Sequence, residues 1–178
     1  YPYDSLAKVI NPKCGYVFNN NNTPFNCTAK EDNIKRETHP LKDFYFAYND
    51  NRALRTSYLF AQSGKISYNE FKAIKYDQNF MNPAYNYAME NIEDILHLDT
   101  QKYPQIKDGI EVLKKWNRNA DVNNKQAAMV ALITNSVINR LVKEGNFPAV
   151  RVKIKEWFLV KCVEDAQLHL LKHFGKLE

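Results

Sequence analysis

The most distinctive part of this 178-residue sequence is residues 11–24, which read NPKCGYVFNNNNTP. Asn11-Pro12 is typical of a turn, and residues 16–18 predict a short strand because aromatic and β-branched side chains favour strands. The four consecutive asparagines at residues 19–22 predict a loop, since Asn is depleted in strands and tolerates left-handed backbone. Residues 11–24 therefore predict a turn, one short strand and a polar loop.

The whole segment 1–50 shows no sustained helical period and predicts a strand and loop arm. An apolar alternation at residues 7–10 predicts a second short strand, and two short strands without a third strand or a packed helix are not stable in water. We therefore expect this arm to belong to a larger sheet built with other segments. Because the sequence has no initiator Met, we also expect the chain to be an internal piece of a longer protein.

Residues 51–178 carry the apolar periodicity of helices, so the predicted fold class is mainly α, a helical bundle of antiparallel tendency. Gly64 is placed to end a first helix, and Ser67 with Glu70 three residues later is a capping-box start for a second. Gly175 is placed to stop the last helix. Further helices are predicted over residues 83–96, 104–116, 127–145 and 150–174.

Charge and hydropathy exclude two classes of partner. The 25 basic and 20 acidic residues are interspersed, and no nucleic-acid-binding motif occurs, so the net charge of +5 describes a solvated surface. The longest apolar run is far short of the roughly 20 residues that cross a bilayer. We expect neither a nucleic acid nor a membrane as partner.

Cysteines and histidines give no strong metal or disulfide pattern. Cys14, Cys27 and Cys162 are too few for a disulfide framework; we expect free thiols, with a Cys14–Cys27 bridge as the alternative. His169 and His173 have the four-residue spacing of a helical metal pair, but no Glu lies between them and no third ligand is evident.

The order of motifs resembles one enzyme family. Residues 11–24 resemble the NPxxGYxxNxNNxP signature in the nucleophile-bearing chain of penicillin acylases, cephalosporin acylases and acyl-homoserine-lactone acylases. Similar segments follow in the same order as in that family: NRALR at residues 51–55, GKIS at 64–67, IEVLKKWN at 110–117, and the helix ending in Phe-Gly at 165–175.

The resemblance implies an amidohydrolase with the αββα fold of N-terminal-nucleophile hydrolases. In that family a precursor cleaves itself, and a new N-terminal Ser, sometimes Cys or Thr, attacks an amide with its own α-amino group as base. That nucleophile has no counterpart among residues 1–178, so we expect the piece alone to be inactive. The implied domains are residues 1–50, an arm of the catalytic sheet, and residues 51–178, a helical region.

The resemblance also implies partners, cofactors and location. The partners are the remaining segments of the same precursor, including the other chain and the nucleophile-bearing sheet, and a small N-acyl substrate. No cofactor is required, although some members hold a structural calcium ion. The location is periplasmic or secreted. Phe25 and Thr28 favour acyl-homoserine-lactone or lipopeptide acylases over enzymes acting on β-lactam side-chain amides.

The resemblance assigns the oxyanion donor of this family to Asn21. An Asn amide offers two N–H donors without any change of protonation, which suits a tetrahedral oxyanion. Because the neighbouring residues are also Asn, a shift in register moves the assignment to Asn19 or Asn22.

Two further roles carry over from the family. The Arg that orients the site matches Arg52, with Arg55 as its rival, since the spacing from Asn21 is longer than in penicillin G acylases. A calcium-binding Asp eleven residues after the donor matches Asp32. The alternative function from a different class is a stand-alone helical binding module without catalysis.

Overall fold

The computed structural model describes residues 2–45, 49–84, 92–145 and 152–178. Its α-helices are α1 (Asn51–Gln62), α2 (Tyr68–Lys75), α3 (Lys107–Lys115), α4 (Ala127–Lys143) and α5 (Glu156–Phe174). Short 3-10 helices cover Tyr3–Ser5, Pro24–Asn26, Arg36–Thr38, Ile92–His97 and Pro104–Ile106. The described residues contain no named strand, so the prediction of a mainly helical chain is confirmed.

The predicted strand at residues 16–18 is wrong. Over the described ranges this segment joins no ladder, and the Phe18 N–H donates one backbone hydrogen bond of 2.8 Å to the Cys27 carbonyl. A strand exists only through repeated backbone bonds to a neighbour, and a single backbone bond does not make a ladder. The αββα fold implied by the resemblance stays a prediction.

The chain divides into two compact units, Tyr1–Asp77 and Gln78–Glu178, called unit 1 and unit 2 below. Unit 1 contains the N-terminal arm together with α1 and α2, while unit 2 contains α3, α4 and α5. The boundary between compact units therefore lies later in the chain than the change from arm to helix after residue 50. That residues 1–50 belong to a catalytic sheet stays a prediction.

Local capping explains where the helices of unit 1 begin. Asp50 caps α1 by accepting a 2.8 Å hydrogen bond from the Ala53 N–H. The predicted capping box of α2 is confirmed, because Ser67 and Glu70 each accept from the backbone N–H of the other. No residue of α2 is buried, so its stability rests on local bonds.

Unit 2 contains a contiguous apolar core to which α3, α4 and α5 all contribute. Arg140 near the end of α4 pairs with Asp165 inside α5, and Gln126 before α4 pairs with Glu178 after α5. Residue numbers therefore rise along one helix as they fall along the other, so α4 and α5 are antiparallel as predicted. The fully buried core side chains include Ile106, Ile110, Met129, Ile133, Val137, Leu159, Cys162 and Val163.

Helix α3 is capped by a residue from α5. Its own N-cap, Ile106, has no polar side chain, and Gln167 instead accepts a 2.6 Å hydrogen bond from the Gly109 N–H. The Gln167 amide also donates to the Gln105 carbonyl at 2.8 Å. A Cβ at Gly109 would lie 2.3 Å from the Gln167 Oε1. Glycine at this position is therefore a packing requirement of the cap.

Two predicted helices lie partly outside the described residues. Of the helix predicted over residues 83–96, residues 85–91 are outside, and the 3-10 helix Ile92–His97 covers its end. The last helix begins at Glu156, and residues 146–151 are outside. Its predicted end is confirmed, since Gly175 follows with a φ of 69°.

Among the described helices, none combines the length and apolar character needed to cross a membrane.

Candidate active site

The Asn tract at residues 19–22 is a loop, as predicted, and its own side chains hold its backbone. The Asn19 Oδ1 accepts from the Asn21 N–H at 2.8 Å, and the Asn22 Oδ1 accepts from the Asn20 N–H at 2.7 Å. Asn21 has left-handed backbone with a φ of 62°, a conformation that Asn tolerates better than most residues. The tract thus forms a tight turn with little dependence on backbone ladders.

Helix α1 fastens this turn. The Asn20 Nδ2 donates to the Thr56 Oγ1 at 2.6 Å and to the Arg52 carbonyl at 3.3 Å. In return, the Arg52 Nη2 donates to the Asn20 carbonyl and to the Asn21 Oδ1, each at 3.1 Å. Asp50 forms an ion pair with the Arg52 guanidinium at 2.8 Å. Arg52 and Asn21, both predicted site residues, are therefore in direct contact.

These partners fix which way each asparagine amide points. A guanidinium can only donate, so the atom that it meets on Asn21 must be the carbonyl oxygen, and the NH₂ group points elsewhere. Over the described residues, no acceptor bonds the Nδ2 of Asn21 or of Asn19, whereas Asn22 donates to the Asn26 carbonyl at 2.6 Å. The NH₂ group of Asn22 is therefore already occupied by a protein acceptor. Of the asparagines at residues 19, 21 and 22, Asn21 alone combines a free NH₂ group with a hydrogen bond from Arg52.

The rival arginine, Arg55, lies in a different network. Its guanidinium forms a two-point pair with Asp77, at 2.7 and 3.2 Å, and both side chains are largely buried. Hydrogen bonding to Asp77 raises the pKa of Arg55. The structure thus brings Arg52, and not Arg55, to the Asn tract, while the catalytic role of either residue stays a prediction.

Asp32 does not join the Asn21–Arg52 contact, since its Oδ2 accepts a 2.7 Å hydrogen bond from the Cys14 N–H. Calcium requires about six to eight oxygen ligands. Across the described residues, no group of three or more His, Cys, Asp or Glu side chains is placed to share an ion. Asp32 and its surroundings therefore do not fit a calcium site by themselves.

The other candidate metal pair, His169 and His173, lies on α5, where the centroids of the two rings are 4.5 Å apart.

Asn33, which the sequence analysis missed, supports the loop behind the motif. Its Oδ1 accepts from the N–H groups of Cys27 and Thr28 at 2.9 and 3.2 Å, and its Nδ2 donates to the Thr28 carbonyl at 3.2 Å. The buried Thr28 hydroxyl donates to the Tyr16 carbonyl at 2.7 Å. Cys14 and Cys27 are free thiols, as expected, and burial raises the pKa of Cys27.

Thr56 was also missed, although the sequence carries a signal for it. It lies four residues after Arg52, and this spacing places both side chains on one face of a helix.

A separate cleft of about 950 Å³ in unit 1 is lined by Gly15, Tyr16 and Phe60 among others. Neither Asn21 nor Arg52 lines this cleft, so it is not part of the candidate site.

Comparison with known proteins decides the family. A family model described as penicillin amidase matches residues 1–172, which include the Asn tract and every helix up to most of α5. The chain belongs to the penicillin amidase family. No curated protein and no solved structure gives a significant match.

Membership of the penicillin amidase family confirms the resemblance drawn from residues 11–24. It places the chain in an acylase-type hydrolase family and favours an enzyme over a stand-alone helical binding module. Within this family context, the Asn21–Arg52 contact is the candidate active-site element of the chain.

Proposed function

We propose that this protein is an N-acyl amidohydrolase, in which residues 1–178 supply the oxyanion donor Asn21 and the residue that orients it, Arg52. The observation that carries the proposal is the 3.1 Å bond from the Arg52 Nη2 to the Asn21 Oδ1. This bond leaves the Asn21 Nδ2 exposed and without an acceptor in the described part of the chain.

The chemistry follows from that arrangement. An N-terminal Ser, Cys or Thr outside residues 1–178 adds to the amide carbonyl carbon, and the carbonyl oxygen becomes an oxyanion that the Asn21 Nδ2 stabilises by donation. The α-amino group takes the nucleophile's proton and passes it to the leaving nitrogen as the C–N bond breaks. Water then hydrolyses the acyl-enzyme. No cofactor takes part in these steps.

Arg52 contributes in two ways. Its guanidinium prevents the Asn21 amide from flipping, because the reversed amide would direct an N–H at an N–H. It also withdraws electron density from the amide oxygen, which makes the Nδ2 hydrogens stronger donors. Both effects place a preorganised dipole where negative charge develops. The exposed guanidinium is itself held by Asp50, which limits its motion.

The proposal extends to the rest of the protein. Residues 1–50 belong to an αββα catalytic fold completed by the remaining segments of the same precursor. The substrate is a small N-acyl compound such as an acyl-homoserine lactone or a β-lactam side-chain amide, and the protein acts in the periplasm or after secretion. A calcium ion near Asp32 would need ligands from segments outside this chain.

The test uses the full-length protein and follows release of the amine from an N-acyl substrate. Asn21→Ala should lower kcat by about 10² to 10³, because one oxyanion donor typically contributes that much. Asn123→Ala is the control, since this exposed asparagine lies in unit 2 and its amide donates to the Asp121 Oδ1 at 2.8 Å; it should retain wild-type activity. Wild-type kcat in Asn21→Ala would contradict the proposal, and residues 1–178 alone should be inactive.

A further inference from the structure

Asn20 is the residue through which the Asn tract is joined to helix α1. It is half-buried, whereas Asn19 and Asn21 on either side are exposed. Its side chain donates to the Thr56 hydroxyl at 2.6 Å and to the Arg52 carbonyl at 3.3 Å, and its own carbonyl accepts from Arg52 at 3.1 Å. The shortest of these bonds is the one to Thr56.

The attachment of Asn20 to α1 constrains the backbone of the next residue, Asn21. Asn21 has left-handed backbone, which is unfavourable for a non-glycine residue and persists only where the surroundings enforce it. Asn20 immediately precedes it, so the Asn20 amide fixes the start of the turn that carries the Asn21 side chain to Arg52. If the Thr56 bond is lost, only the weaker 3.3 Å donor bond holds the Asn20 side chain to α1.

We propose that Thr56 is a positioning residue for the Asn21 donor, acting through the Asn20 amide. This inference rests on the proposed function, and it assigns a task to two residues that the oxyanion assignment does not include. Thr56 makes no hydrogen bond to Asn21; through the Asn20 amide it holds the turn that carries the exposed Asn21 side chain. Its effect should therefore appear in the transition state and not in ground-state binding.

The first experiment measures kinetics of full-length Thr56→Val, which keeps the shape of the side chain and removes the hydroxyl acceptor. We expect kcat to fall about three- to tenfold with KM unchanged, the effect of one hydrogen bond. Thr56→Ser restores the hydroxyl and should restore kcat. Asp77→Asn is the control, because it breaks the ion pair with Arg55, which lies on the same helix as Thr56; it should lower stability and leave kcat unchanged.

A double-mutant cycle separates positioning from general destabilisation. If Thr56 acts through Asn21, Thr56→Val should cause no further loss of kcat in an Asn21→Ala background. An equal fold-loss in both backgrounds, or wild-type kcat in Thr56→Val, overturns the inference while leaving the proposed function intact. Wild-type kcat in Asn21→Ala removes the donor assignment, and the inference with it.

A second measurement does not depend on activity. In the full-length protein, hydrogen exchange at the Asn20 and Asn21 backbone amides should be several-fold faster in Thr56→Val and return to the wild-type rate in Thr56→Ser. Unchanged exchange at both amides overturns the inference even for a protein that hydrolyses no N-acyl substrate.

Discussion

The two compact units are stabilised by different interactions. In unit 2, the hydrophobic cluster draws on α3, α4 and α5, and side chains such as Ile110 and Val163 are fully buried. In unit 1, the described buried residues are few, and loop backbone is held by side-chain amides and hydroxyls such as those of Asn33 and Thr28. Unit 2 is thus organised by burial and unit 1 by directed hydrogen bonds.

This difference explains why the candidate site lies in unit 1. Apolar packing is tolerant of direction, whereas a hydrogen bond fixes both the position and the orientation of its donor. The proposed oxyanion donor Asn21 requires that orientation, and the hydrogen bonds of the Asn tract to Arg52 and Thr56 on α1 are of this directed kind. Functional residues commonly lie on loops positioned by a rigid element, and α1 is that element here.

The largest expected effect on stability is in unit 2. Gly109→Ala places a Cβ 2.3 Å from the Gln167 Oε1, so Gln167 must move and the α3 cap is lost. We expect about 2–4 kcal/mol of destabilisation from the clash and the unsatisfied buried groups. Both tryptophans, Trp116 and Trp157, belong to unit 2, so their fluorescence during urea denaturation reports its unfolding.

The control for Gly109→Ala shortens the side chain that it meets. Gln167→Ala alone should also destabilise unit 2, because the Gly109 N–H and the Gln105 carbonyl lose their partner. With the clash removed, Gly109→Ala should cost little in the Gln167→Ala background. Simple additivity of the two losses would contradict the assignment of Gln167 as a cap across elements.

A smaller effect is expected in unit 1 from Asn33→Ala. This change removes hydrogen bonds to the backbone of Cys27 and Thr28. Thr28 is buried but Asn33 and Cys27 are only partly buried, so we expect a loss of about 1–2 kcal/mol. The rate of hydrogen exchange at the Cys27 and Thr28 backbone amides measures this loss of stability. Asn33→Asp keeps the acceptor and loses the donor, so its loss should be intermediate; a loss equal to that of Asn33→Ala would contradict this account.

The ion pair between Arg140 and Asp165 predicts a weaker, pH-dependent contribution to unit 2. Burial raises the pKa of Asp165, but hydrogen bonding and charge from Arg140 and Lys161 together outweigh it, so its pKa is lowered from its ordinary value of 3.8. The stabilisation is therefore complete above that ordinary value and is lost as the pH falls through the lower folded value.

Asp165→Asn should cost about 1 kcal/mol or less at neutral pH, because both side chains of the pair are about one-third exposed, at 34% and 33%. The variant should also lose part of the acid dependence of the urea midpoint. An acid dependence identical to that of the wild type would show that Asp165 is not responsible for it.

The smallest effect is expected at the exposed helix α2. Ser67→Ala removes the acceptor of the Glu70 N–H. Hydrogen bonds to the Glu70 carboxylate from the Ser67 side chain and from the Ser67 backbone N–H lower the pKa of Glu70. Because α2 buries no residue, the change should fray its first turn without unfolding unit 1. Exchange at the Glu70 amide should become roughly fivefold faster. A drop in the overall urea midpoint would instead show that α2 is coupled to the rest of the unit.

The sequence by itself determined those features whose interactions lie within a few residues. The capping box of Ser67 and Glu70 and the helix stop at Gly175 depend on neighbours along the chain, and both were predicted. The loop at residues 19–22 was also predictable, because Asn side chains bond backbone groups two residues away. The family signature at residues 11–24 is local in the same sense.

Only the tertiary structure decided features that join distant residues. Gln167 caps α3 although it lies 58 residues after Gly109, and Arg52 reaches Asn21 across 31 residues while Arg55 pairs with Asp77. The strand predicted at residues 16–18 was wrong because a strand requires a partner that its own residues do not supply. The physical reason is common to all three: a contact between distant segments depends on how the chain packs, and no periodicity along the sequence records it.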